Sequence, residues 1–392
     1  MEVGATRPGC GRCGVARRGA RPGRDAGWGR SAGPAIARDD ERPGSGGRFR
    51  LTRRTRSKAL ACIWTLAAVA LGACARHPQS ALAPAGPVAR MELGLMATSL
   101  WIMIGVFVVV AGSLLYVIAR FRERKGQEGL PPQVEGSHIL EILWTGIPII
   151  LVLVLTVFTV RTTFALAKAP AASSRPLQVT VVGHQWWWEF EYPQYGVVTA
   201  DTMHIPVNRK IELSLKSADV LHSFWIPALG GKEDTVPGQV NHMWLEATQT
   251  GTFPGQCAEF CGTSHSLMRM YAVSQSASGF QAWIHGMQHP QSAPKTAIAK
   301  QGMKIFATNC ALCHSIGGTP FTKGTLGPNL TGLGDRRVIV GGALQNNTQD
   351  IIYWVHDPQH IMPDTIMPNF STILTPSQLQ AVAAYLEGLK RG

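Results

Sequence analysis

Two long apolar runs decide what this chain can fold into. Gly94 to Ile118 is 25 residues without a charged side chain, and Ile139 to Val160 is 22 residues with one, Glu141. At about 1.5 Å per residue, either run is long enough as a helix to cross a hydrocarbon core of about 30 Å. A transmembrane hairpin over 94–160 follows, with Arg120, Arg122, Arg124 and Lys125 at and within its connection. Basic loops stay on the cytoplasmic side, so both ends of the hairpin are expected on the outer side. Glu141 lies one turn inside the second span, where a carboxylate is costly unless paired or near water. Proton handling is one reading of it and interfacial snorkelling the other. Pro148 would loosen the same helix, which predicts neighbouring protein that compensates.

The N-terminal side supports that orientation. Residues 1–58 carry 15 of the 37 basic and 5 of the 24 acidic side chains, so most of the net charge of +13 sits there. The remaining chain is close to neutral, and a nucleic-acid partner is not expected. Rich in Gly, Arg, Ala and Pro with no apolar period, 1–58 reads as disordered, and the Cys10/Cys13 pair in it has no second ligand pair. Residues 59–74 then read as a signal peptide: a basic stretch ending at Lys58, a thirteen-residue apolar run and small residues before Cys74. Its end, "LGAC", is similar to a bacterial lipobox, which would make Cys74 a lipidated first residue. Residues 75–93 read as a flexible lead.

Past the hairpin the pattern changes to period two. "LQVTVVGHQWWWEFEY", "TMHIPVNRKIELSLKS", "VLHSFWIP" and "NHMWLEA" alternate and are separated by turn residues, predicting a small β-sandwich or barrel over 175–275. Between its late strands, "MWLEATQTG" and "RMYAVSQ", lies "CAEFCGTSHSLM". A disulfide between Cys257 and Cys261 beside a core methionine is one reading. It leaves His265, Met268 and the earlier His222 without a role. Thiolate, imidazole and thioether together are the ligand set of copper electron-transfer sites, and a second cysteine lets two thiolates bridge two copper ions.

His222 followed by C-x-E-x-C-x-x-x-H-x-x-M resembles the dinuclear copper A centre of the cytochrome c oxidase subunit II family. "LEILWTGIP" (140–148) and "GHQWWWEFEY" (183–192) resemble that family's second helix and aromatic segment. The resemblance implies a cupredoxin-like fold in which Cys257 and Cys261 bridge the coppers. It makes His222, His265 and Met268 terminal ligands and Glu259 a ligand through its backbone carbonyl. It further implies that the Glu259 side chain reaches a magnesium ion shared with subunit I, that electrons enter at Trp186, and that Glu141 lies at a proton channel. Trp187 stands where the family usually has Tyr, a position not used as a ligand.

After "FQAWIHGMQ", a predicted short helix, the Pro-, Gln- and Ser-rich "HPQSAPKTA" reads as a linker, together covering 276–295. Then Cys310, Cys313 and His314 form C-x-x-C-H, the c-type haem attachment pattern. Two thiols add to the haem vinyl groups while the adjacent imidazole reaches the iron. Zinc would need a second ligand pair, and thioredoxin-like chemistry a βαβ context. Met362 and Met367 compete for the sixth position. Residues 296–392 resemble class I cytochromes c, an all-α domain; "MPNF" fits that family's pattern at Met367, "GPNL" (327–330) would place Pro328 against His314, and "TPSQLQAVAAYLEGL" supplies the final helix.

An oxidase subunit II with its own cytochrome c is similar to the caa-type terminal oxidases. That resemblance implies electrons passing from a cytochrome c donor to the haem, to copper, and to subunit I, where oxygen is reduced with proton translocation. The chain is then expected in a bacterial inner membrane beside subunit I and other membrane subunits, with both outer domains on the periplasmic side. A copper A-containing nitric oxide reductase subunit and a non-catalytic membrane-anchored carrier are the alternatives, and the intact copper ligands argue against a quinol oxidase.

Overall fold

A computed structural model describes Thr65, residues 79–122, Gly129, Gln133 and residues 135–392. The expectations for 1–58, for the signal segment and for lipidation at Cys74 lie outside the described residues.

Helix α1 (Pro87–Arg120) and helix α2 (His138–Ala167) contact each other as a hairpin, and both are apolar enough to span a membrane. Trp101, Phe107, Ile142 and Phe164 all point outward, an arrangement stable only in hydrocarbon or against other protein. The chain is thus a membrane protein. Helix α1 begins seven residues before the expected Gly94, and the lead is not free. Ala85 N donates to Ala228 O at 2.7 Å, Thr248 N donates to Ala85 O at 2.8 Å, and Val88 and Ala89 are buried. Pro87 at the first helical position, where an N–H has no partner in any case, sets the start. Burial on the next domain drew helix into a stretch that reads as a spacer.

That domain is a two-sheet sandwich of the cupredoxin kind. One sheet has the order β3-β2-β1-β5-β8 and the other β4-β10-β9-β6-β7. In chain order the strands are β1 (Leu177–His184), β2 (Trp187–Tyr192), β3 (Val197–Ala200), β4 (Thr202–Pro206) and β5 (Ile211–Ser217). There follow β6 (His222–Trp225), β7 (Glu233–Thr235), β8 (Asn241–Leu245), β9 (Gly251–Cys257) and β10 (Arg269–Gln275). Alternation fixes the register. Val179 and Val181 of β1, Trp188, Phe190 and Tyr192 of β2, and Leu213 and Leu215 of β5 all turn inward. Tyr192 satisfies its buried hydroxyl by donating to His204 O at 2.9 Å and accepting from His204 N at 2.7 Å. Helix α3 (Ala277–Gln288), capped by Ser276, closes the sandwich with Phe280, Trp283 and Ile284.

Strand β9 was not expected, because the late strand before the ligand loop was read as "MWLEATQTG", which ends at Gly251, where β9 begins. It pairs with β10 along its length but with β6 only at Gln256 and Cys257. Pro254 therefore sits where no N–H is required on the β6 side.

The C-terminal domain holds α4 (Ala297–Asn309), α5 (Thr348–His356), the short α6 (Pro358–Ile361) and α7 (Pro376–Glu387). Thr296, Asn347 and Thr375 cap three of them, Thr375 in a capping box with Gln378. The domain is helical rather than strictly all-α: β11 (Val338–Ile339) and β12 (Leu344–Gln345) form a small ribbon. Helices α4 and α7 cross at Gly302, where an added Cβ would lie 1.9 Å from Ala381 O. Gly302→Ala is expected to force the crossing apart, destabilising this domain by about 1–3 kcal/mol. Scanning calorimetry of the purified chain should show a lowered transition, and an unchanged one would contradict the packing. The linker is paired rather than loose. Gln291 and Lys390 exchange backbone hydrogen bonds at 2.8 and 3.2 Å, and Ser292, buried, donates to Gly317 O at 2.8 Å.

Candidate metal centre and haem pocket

Cys257 ends β9 and Met268 precedes β10, and Cys257 N donates to Met268 O at 2.9 Å. The ten residues between them are thus closed into a loop at the tip of a hairpin. Strand β6 sets Phe224 opposite Cys257 and brings His222 beneath the loop. Cys257 Sγ then lies 3.9 Å from His222 Nδ1 and 3.8 Å from Cys261 Sγ. Cys261 Sγ lies 3.4 Å from His265 Nδ1 and 3.7 Å from Met268 Sδ, and Glu259 O is 3.2 Å from Cys257 Sγ. All six expected positions converge. The two thiols are free, which sets the disulfide reading aside.

His222, Cys257, Cys261 and Met268 are buried, so soft donors face one another in a dry setting. The hydrogen bond from the Cys261 thiol, with help from His222 and backbone donors, outweighs burial and pulls Cys257 down to about 3. Cys261 is pushed up by that same bond, by burial and by the Cys257 thiolate. One thiol of the pair therefore ionises readily while the other holds its proton until a metal cation replaces it. The donor set fits two thiolate-bridged copper ions. Because a bound proton must leave before its atom can coordinate, apparent copper affinity of the metal-free chain is expected to fall as pH falls. Copper titrations at about pH 8 and about pH 6 check this, and equal affinities would contradict it.

Three supporting residues were not singled out in the sequence. Asp219 Oδ1 accepts from His222 Nε2 at 2.7 Å, which fixes the ring and leaves Nδ1 for metal. Although burial disfavours the imidazolium, Asp219 and Cys257 raise His222 overall. The signal was present as a carboxylate three residues before a ligand, and Asp219 Oδ1 also accepts from Val220 N at 2.6 Å. Gln185 Nε2 donates to Cys261 O at 2.7 Å, pinning the loop from the β1–β2 turn. Gln359 Nε2 donates to Met367 O at 2.6 Å and steadies the methionine loop of the C-terminal domain.

Trp186 is buried, not a surface aromatic, and its indole Nε1 donates to Cys261 O at 3.1 Å. Trp187, half-exposed, stacks on His184 with ring centroids 4.1 Å apart, and Trp188 is core. The Glu259 side chain turns outward, 3.8 Å from Lys232 Nζ, beside Phe260, which is 76% exposed. Glu141, in the first turn of α2, lies 3.5 Å from His138 Nδ1 and remote from both sites in sequence and fold.

In the C-terminal domain Cys310 caps α4, and the turn after it carries Cys313 and His314. His314 Nδ1 donates to Pro328 O at 2.9 Å, which leaves Nε2 free for iron. Gly327 is needed there, since a Cβ would meet His314 Cε1 at 2.6 Å. A largely apolar cavity is lined by Phe306, Cys310, Cys313, His314, Met362 and Met367. Met367 packs with the apolar cluster of the C-terminal domain, whereas Met362, 4% exposed, packs into that of the sandwich. An apolar slot with two free thiols, a backbone-anchored imidazole and a facing thioether fits a covalently attached haem. Trp186 and Trp187 form part of the same cavity wall, so the cavity reaches the residue that holds Cys261.

Comparison with known proteins agrees with this geometry. Residues 80–162 match the family described as cytochrome c oxidase subunit II, transmembrane domain, and 197–275 match its periplasmic domain. Residues 299–390 match cytochrome c. The chain is 40% identical to cytochrome c oxidase subunit 2 of Alkalihalophilus pseudofirmus, over 79% of this chain and 91% of that one. It is 42% identical to the protein of that name from Bacillus sp. strain PS3, over 84% and 98%. A quinol oxidase subunit 2 of Bacillus subtilis is 34% identical over only 59% of this chain.

Proposed function

We propose, since the chain belongs to the cytochrome c oxidase subunit II family and ends in a fused cytochrome c domain, that it is the electron relay into a haem–copper terminal oxidase. The groups it would hold supply one chemistry when bound: electrons pass from a cytochrome c donor through haem and dinuclear copper to subunit I, where oxygen is reduced.

The chain's own residues prepare that transfer. Cys310 and Cys313 would anchor the haem, and His314 and Met367 would hold its iron. Cys257 and Cys261 would hold the two coppers, with His222, His265, Met268 and the Glu259 carbonyl completing the set. Buried neighbours exclude water, and Asp219 and Pro328 fix the two imidazoles, so little has to rearrange when charge arrives. The observation that carries the reading is Trp186, which lines the haem cavity while donating to Cys261 O.

The outward face of the ligand loop, with Glu259 and the exposed Phe260, suits docking to subunit I and a shared magnesium ion. Arg120 and Arg122, at the end of α1, favour an inner location for the hairpin connection. Both outer domains would then be extracytoplasmic, with Glu141 near the inner end of α2 as a proton-handling group. The test uses the purified complex, mixed rapidly with reduced cytochrome c, with oxygen and nitric oxide as separate acceptors. Haem reduction followed by copper reduction and oxygen consumption is expected. Nitric oxide turnover alone would move the assembly to denitrification, and no copper reduction would remove the relay.

A further inference from the structure

We propose that the C-terminal domain is latched to the sandwich at two points, Met362–Asp364 on the copper-ligand loop and Gly341 on Asp201, and that these are positioning residues for transfer between the two sites. The functional meaning rests on the relay reading above, although the latch is made of protein atoms alone.

The first point joins the two ligand loops. Ser264, buried and next to His265, donates from Oγ to Pro363 O at 2.7 Å. Thr263 donates from Oγ1 to Asp364 Oδ2. Met362, immediately before them, is 4% exposed because it inserts into the apolar cluster of the sandwich. The segment preceding Met367 is thus bonded to the segment carrying Cys261 and His265.

The second point lies at Asp201, in the tight turn between β3 and β4. Its Oδ1 accepts from Trp188 N at 3.0 Å within the sandwich, and its Oδ2 accepts from Gly341 N at 3.2 Å across the boundary. Arg336 lines the same cavity as Asp201, attracts its carboxylate at longer range, and donates from Nη2 to Asn329 O at 2.6 Å. Asn329 follows Pro328, whose carbonyl holds His314. A charge attraction longer than a direct ion pair therefore acts between the sandwich and the peptide that orients the proximal imidazole. Loss of water pushes Asp201 up to about 6 and Arg336 down to about 10, against their mutual attraction. An attraction of this length adds little net stability and only supports the Gly341 bond in selecting one orientation. With the linker paired through Gln291 and Lys390, the domain is seated rather than swinging on a tether. A seated pair needs no diffusive search before transfer.

The assembled oxidase complex tests this with a Met362→Ala/Asp364→Ala double variant and with Asp364→Asn, which keeps an acceptor oxygen for Thr263. Haem-to-copper transfer is timed after photochemical reduction at increasing glycerol, and hydrogen exchange is followed over 258–268 and 338–345. Wild-type transfer is expected to ignore viscosity. The double variant should transfer about tenfold more slowly or worse and become viscosity-dependent, with faster exchange in both segments and unchanged copper and haem content. Asp364→Asn should stay near wild type. A double variant with unchanged exchange and rate would overturn the latch, as would viscosity-dependent transfer in the wild type. If the wild-type chain held no copper, the relay reading would fall while the exchange data would still decide the latch.

Discussion

Cys257→Ser is expected to abolish copper retention and to cut electron delivery to the partner subunit by more than about 100-fold, while the C-terminal domain keeps its haem. A serine hydroxyl does not ionise near neutral pH and is a poor ligand for a soft metal. The thiol it replaces is the one whose proton leaves first, pulled down by the Cys261 hydrogen bond and His222. The fold should survive, because the bond closing the loop is from the Cys257 backbone to Met268 O. A buried hydroxyl without a full set of partners costs about 1–3 kcal/mol. Copper and haem per chain, measured beside oxygen consumption, separate loss of metal from loss of fold. A variant that retained copper would show that Cys257 is not a bridging ligand.

Met367→Ala is expected to lower the haem potential by on the order of 100 mV and remove the methionine-ligated spectrum, while Met362→Ala leaves both in place. Both methionines reach the haem cavity. Met362 is committed to the sandwich cluster, however, and Met367 belongs to the cluster around α4 and α7, its loop held by Gln359. A lower potential stalls a relay even when its geometry is intact, because the haem no longer receives electrons readily from its donor. Potentiometric titration of the two variants decides the assignment, and a shift confined to Met362→Ala would reverse it.

The sequence carried these sites because their chemistry needs particular side chains at short spacing. Cys257 to Met268 and Cys310 to His314 are local patterns, and the inward alternation of Trp188, Phe190 and Tyr192 is visible wherever a strand buries one face. What stayed hidden was set by contacts distant in sequence. The early start of α1 depends on Ala228 and Thr248, far along the chain. Strand β9 survives its Pro254 only because β6 stops pairing short of it. Asp201 is an ordinary charged residue in sequence, and its meaning appears only when the C-terminal domain brings Gly341 N to it. The linker shows the same effect: a Pro-, Gln- and Ser-rich composition describes a chain alone in water, not one whose backbone pairs with Lys390 near the C-terminus.

The most direct test of the relay is the stoichiometry of copper and covalent haem on this chain, isolated within its oxidase complex. A dinuclear copper centre together with one haem attached through Cys310 and Cys313, both reduced by cytochrome c before oxygen is consumed, is the predicted result. Haem without copper, or copper lost without effect on electron delivery to subunit I, would contradict it.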